Sequence, residues 1–141
     1  MKYLFIILMI FSFLDAKIYR DGQKEVVIDD VAKLMWLDNI SVIKTSKNHE
    51  NASTYCKEIT HLGFNDWRLP KVEEYELIVD KNNKKIYINK AFEYNVPDGY
   101  WAQKAHWRTL WYYADYMHFI SGTPYYDNRI KKKYVRCVRD Y

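Results

Sequence analysis

Proline and glycine are scarce in this chain, three and four among 141 residues. No Pro/Gly/Ser-rich linker, low-complexity tract or internal repeat divides the sequence, so nothing marks a second domain. Charge of one sign is weak as well. The formal net charge is +4, and without a basic helix or a base-stacking motif that excludes nucleic acid as an expected partner. His49, His61, His106 and His118 lack metal-ligand spacing, and no serine sits in a nucleophile-elbow pattern, so no metal, cofactor or catalytic residue is expected.

Long apolar runs are also missing. Tyr3 to Leu14, broken by Ser12 and preceded by the basic Met1-Lys2, is shorter than the roughly 20 residues a spanning helix needs. It has the layout of a secretory signal peptide. Cleavage after Ala16 is expected, giving a leader over 1–16 and one domain over 17–141. The alternative is an uncleaved anchor, because Leu14 at minus three is larger than the preferred small residue. Such an anchor would be the chain's one route to a membrane.

Cysteine is limited to Cys56 and Cys137. In an exported chain they are expected to form a disulfide. Closing a loop of roughly 80 residues would stabilise the fold by about 4–5 kcal/mol in the chain-entropy picture.

What is present is organised around Gly63-Phe64-Asn65-Asp66-Trp67-Arg68-Leu69-Pro70. This stretch reads as a joint between helices, with Gly63 free to take the left-handed angles that end one and Pro70 suited to the first turn of the next. Ahead of it, Ala52, Tyr55, Cys56, Ile59 and Leu62 recur at helical spacing, predicting a helix from His49 that stops at Gly63 and turns Cys56 inward. Behind it, Val72, Tyr75, Ile78 and Val79 repeat the pattern. Glu73, Glu74 and Glu76 fall where negative charge suits the helix dipole, and a second helix is predicted over about 71–80.

Strand signals flank this helical centre. Glu25 to Ile28 and Lys33 to Leu37, separated by Asp29-Asp30, predict a hairpin. Tyr100-Trp101 and Tyr116 to Ile120 predict two further strands, followed by a turn at Gly122-Thr123-Pro124. In the closing run, alternation puts Val135 and Cys137 on one face and Tyr134, Arg136 and Val138 on the other. Trp36, Trp67 and Trp101 are assigned to the core. Arg68 and Arg136 are expected to pair with buried or capping carboxylates, for which Asp66, Glu74 and Asp80 are candidates.

In this order, Leu34-Met35-Trp36, Tyr55-Cys56, Asp66-Trp67-Arg68-Leu69-Pro70, Glu74, Tyr100-Trp101 and Tyr134-Val135-Arg136-Cys137-Val138-Arg139 resemble the Lcl C-terminal domain family of bacterial extracellular proteins. The resemblance implies an α+β, C-type-lectin-like fold in which two helices pack on a twisted antiparallel sheet and the cysteine pair ties the first helix to the last strand. It also implies a periplasmic or cell-surface location in a bacterium, and glycan binding that includes sulfated polysaccharides. Formylglycine-generating enzymes share that fold, but their chemistry needs reactive cysteines, which a Cys56–Cys137 bridge would consume. The calcium-site signatures of sugar-binding C-type lectins are absent. The family often carries Thr or Ser after the proline as a helix cap; Lys71 stands there instead, facing Glu74, and losing that cap should cost about 1 kcal/mol.

Residues 104–116 match no family motif, and they are where a ligand site is sought. Trp107, Trp111, Tyr112 and Tyr113 crowd this span, and Tyr125, Tyr126, Asp127, Asn128 and Arg129 follow the next strand. Aromatic faces stack on sugar C–H surfaces while Asp, Asn and Arg bond hydroxyls. The ordinary alternative is that the aromatics fill a loop-rich core. Lys131, Lys132 and Lys133 could grip a polyanion, or form a solvated turn before a strand. The expectation is a secreted, non-enzymatic binding module for an extracellular glycan or polyanion, with an envelope protein as the rival partner and an enzyme of unknown chemistry as the third, less favoured reading.

Overall fold

The computed structural model describes residues 17–106 and 110–141, so the leader lies outside the described residues. Two sheets form, where a single one was expected. The first has strand order β1 (Ile18–Asp21), β2 (Val26–Asp29), β3 (Leu34–Leu37) and β9 (Val138–Asp140), all antiparallel. The second has order β4 (Ser46–Lys47), β8 (Lys133–Tyr134), β5 (Gly99–Ala105), β6 (Tyr113–His118) and β7 (Thr123–Asn128). Its β5–β8 contact is parallel, through Tyr100 and Tyr134. The helices among the described residues are α1 (Ser41–Lys44), α2 (His49–Glu58) and α3 (Val72–Ile78), three rather than two.

The expected hairpin is the β2–β3 pair, with β1 added outside it. Asp29 Oδ1 accepts the Val31 and Ala32 N–H groups and so shapes the turn. β2 and β3 are buried on both faces, because alternate residues feed two separate cores. Val27, Leu34 and Trp36 pack with Tyr75, Ile78 and Phe119. Val26, Ile28, Met35 and Leu37 pack with Cys56, Trp67 and Trp101. Trp36, Trp67 and Trp101 are thus in the core as read from sequence.

The joint differs from expectation. α2 ends at Glu58, with Ile59 already extended. Gly63 is left-handed at φ 76°, but it closes a tight turn with Leu62 at φ 57°, in which His61 and Phe64 exchange both backbone bonds. That two-residue turn with two positive φ values is a hairpin turn. Pro70 precedes the N-cap Lys71 and therefore lies just outside α3. Half of the capping box survives: Glu74 Oε1 accepts the Lys71 N–H at 2.8 Å, whereas an ammonium has no lone pair to return the bond. Arg68 holds the same carboxylate bidentately at 2.7 and 2.8 Å. Burial raises the Glu74 pKa, but the Arg68 bonds, the Lys71 N–H and the two nearby positive charges together outweigh it and leave the carboxyl below its usual value.

The closing run splits. Tyr134 belongs to one sheet and Val138 to the other, yet the alternation holds, since Val135 and Cys137 enter the second core while Tyr134 and Val138 meet the first. Cys56 and Cys137 are bonded, Cα atoms 5.5 Å apart, tying α2 to this crossing. Next to Cys137 in the chain is Arg136, which is fully buried. Its partner is Asp38, which was not among the candidates. Arg136 Nη1 donates to Asp38 Oδ1 at 3.2 Å and to Leu37 O at 3.0 Å, and Nη2 donates to Asn95 Oδ1 at 2.8 Å and to Tyr94 O. Asp38, also fully buried, accepts three more bonds, from Arg20 Nε at 2.6 Å and from the Glu93 and Tyr94 N–H groups. Phe92 and Tyr100 flank the guanidinium, 4.7 and 5.5 Å from their ring centres.

Removing one member of a buried ion pair strands the other charge at a cost of about 3–5 kcal/mol. Asp38→Ala is therefore expected to lower the denaturant-derived unfolding free energy by that amount, and a loss below about 1 kcal/mol would show that the cluster is not critical.

Candidate functional site

The sequence-picked residues part company in space. Trp111, Tyr112, Asn128 and Arg129 converge on one open hollow of about 300 Å³, where Asn48 and Glu50 of the α2 start complete the wall. Leu110 and Ile130 flank it, 77% and 79% exposed. Trp111 and Tyr112 present more than half their surface to solvent, at 57% and 64%, so neither fills a core. Trp107 lies outside the described residues.

Arg129 is the staple of this hollow. Its N–H bonds Tyr112 O at 2.8 Å, its Nη1 bonds Trp111 O at 3.2 Å, and its carbonyl accepts the His49 N–H at 3.0 Å. Its Nε donates to His49 Nδ1, also at 3.0 Å. A guanidinium can only donate, so His49 must accept at Nδ1 and carry its proton on Nε2. That proton goes to Ala102 O at 2.9 Å. His49 itself is buried edge-on against Trp101. Asn48 Oδ1 caps α2 through the Asn51 N–H. One chain of bonds thus runs from the sheet through His49 and Arg129 to the aromatic lip. The lip's backbone is unusual, with Leu110 at φ 51° and Trp111 at φ 66°.

The other picked residues face elsewhere. Asn128, Tyr113 and Tyr126 share one face of the β6–β7 pair, by register and alternation. Tyr125 lies on the opposite face, beside Tyr116 and His118. Asp127 is on that face too. It binds Lys131 at 3.1 Å and Lys133 at 3.0 Å, and these bonds with the Asn128 N–H outweigh burial and lower its pKa. Lys133 also rests over the Tyr116 ring at 3.9 Å. Of the lysine run, Lys132 alone has no ion pair among the described residues, so the run does not present three free cations. β6 begins at Tyr113, before the expected Tyr116, and 123–128 form an edge strand that the turn residues Gly122 and Pro124 concealed.

Asn48 and Glu50 were not singled out from sequence. An N-cap signal is legible at Asn48, but nothing local says that this helix end meets residue 129 from the far side of the sheet. Among the described residues no three His, Cys, Asp or Glu side chains are grouped as a metal site requires, and no helix is long and apolar enough to cross a membrane.

The sequence model of the Lcl C-terminal domain matches residues 25–139. No curated protein matches the chain.

Burial pushes the His49 pKa below 6.5; the Ala102 bond works against this and the Arg129 charge adds to it. A group whose folded pKa is depressed contributes stability above its unfolded value and loses it as pH falls through the folded one. Stability should therefore begin to decline near pH 6.5 and keep falling below it, before the carboxylates titrate. His49→Gln should flatten that decline, as read by urea midpoints across this range. Equal slopes in both proteins would rule His49 out as its source.

Proposed function

The chain belongs to the Lcl C-terminal domain family, and we propose that it is a secreted binding module of the bacterial cell envelope that recognises a glycan in the hollow beneath Trp111. The observation that carries this reading is the pairing of two half-exposed aromatic rings with Asn48, Glu50, Asn128 and Arg129 in one concave site. Stacking faces beside a few fixed polar groups are what a sugar ring needs, its C–H surface on the ring and its hydroxyls on the amides and charges. We further read the α+β architecture with its Cys56–Cys137 bond as C-type-lectin-like, and the bond as suited to an oxidising periplasm or cell surface reached through the 1–16 leader.

Calcium is not part of the proposal. Glu50 is the one carboxylate lining the hollow among the described residues, and Ca²⁺ takes six to eight oxygen ligands. Catalysis is not part of it either, since no nucleophile and general base face each other there. A neutral glycan is favoured over a polyanion because Arg129 is the single cation in the wall while Lys131 and Lys133 are engaged by Asp127. A second reading has one observation behind it: exposed Leu110 and Ile130 extend the aromatic lip into an apolar patch that would suit an envelope protein.

Screening the disulfide-bonded protein against neutral and sulfated glycans at low and high salt tests the choice. Binding should persist at high salt and weaken about tenfold, roughly 1.4 kcal/mol, in Trp111→Ala, while Tyr125→Ala, on the other face, should change little. Binding that collapses with salt would point to a polyanion, and no binding across the panel would shift the reading to a protein partner.

A further inference from the structure

A second open hollow, about 270 Å³, lies on the face of β5 and β6 that α3 covers. Gln103, Lys104 and Asp115 form its floor, and Lys71, Val72 and Glu73 at the start of α3 form its wall. Strand register connects it to the first. Asn128, which lines the first hollow, is paired with Tyr113; two residues along, Tyr126 is paired with Asp115, which lines the second. Side chains two apart on a strand share a face at a spacing of about 7 Å. Asn128, Tyr113, Tyr126 and Asp115 therefore make one strip on this face of the β6–β7 pair, and Asn128 at one end and Asp115 at the other line the two hollows.

The middle of that strip is aromatic and exposed, and its rings are in contact with one another. Tyr113 and Tyr126 meet edge to face at 6.0 Å, 37% and 65% exposed. His106 meets Tyr126 at 5.6 Å and is itself bonded to Asp115. Rings braced by neighbours lose little freedom when a ligand stacks on them, so contact there yields more net affinity than a freely swinging side chain would. In the second hollow, Lys71, Lys104 and Glu73 are in no ion pair among the described residues, and with Gln103 they offer both donors and acceptors to hydroxyl, amide or carboxylate groups.

Building on the glycan reading, we propose that the two hollows and the Tyr113–Tyr126 pair between them form one track that holds several consecutive sugar units of a chain, with one stacking position at Trp111 and another at Tyr126. The module then selects oligomers over single sugars, because each occupied position adds contact without a further loss of translational freedom.

Calorimetric titration of the disulfide-bonded protein with cello-, chito- and malto-oligosaccharides of increasing length tests this. In the series that binds, the dissociation constant should fall at least about tenfold from disaccharide to hexasaccharide and then level off. Tyr126→Ala and Lys104→Ala should collapse that ratio towards unity, whereas Trp111→Ala should weaken every length and preserve the ratio. Equal affinity at all lengths, or a ratio untouched by Tyr126→Ala, would overturn the track and leave the Trp111 site standing. Absence of binding at every length in all three series would overturn both.

Discussion

A single buried carboxylate, Asp38, governs how this chain is put together. An ionised group without water is tolerated only when its lone pairs are occupied, and Asp38 meets that condition by collecting Arg20 from β1, Arg136 from the β8–β9 crossing and two N–H groups from the 93–94 loop. These segments are remote in sequence. Requiring them all at one point fixes where the first sheet ends, where the loop before β5 lies and where the closing run changes sheets. The geometry of Arg136 does the same in reverse, since its planar fork must find carbonyls and a carboxylate together. The disulfide then fastens α2 to the residue next door.

Much of this was legible from residue patterns because the signals are local. Helical spacing found α2 and α3, alternation found the β2–β3 hairpin and sorted Val135 and Cys137 from Tyr134 and Val138, and the three core tryptophans were placed correctly. The misses are equally physical. Ile59 and Leu62 continue the helical period in sequence, but the helix yields at Glu58 to a turn in which His61 and Phe64 bond each other. Asp38 carries no local mark, because its four partners come from elsewhere. A break between β8 and β9 cannot be read from alternation, which is the same on either side of it.

The candidate site shows the same division. Crowded aromatics near 111 and the Asn128-Arg129 pair were visible, and they meet in one hollow. The wall supplied by Asn48 and Glu50 was not, since it depends on a backbone bond from His49 to Arg129 across the sheet. The lysine run illustrates the opposite error of reading charge in isolation. Asp127, counted from sequence as a hydroxyl-binding group, pairs with Lys131 and Lys133 and so offsets the charge of two of the three cations.

The left-handed backbone at Leu110 and Trp111 carries a consequence of another kind. Neither residue has a side chain suited to that conformation, and each costs of order 1 kcal/mol there relative to glycine. Both are also largely exposed, so packing returns little of it. Random substitution at these two positions would thus drift towards glycine or asparagine, which relax the strain and raise thermal stability. A lineage that keeps bulky apolar residues at the lip would be selecting against its own stability, and the balance between robustness and recognition in this fold would be set there.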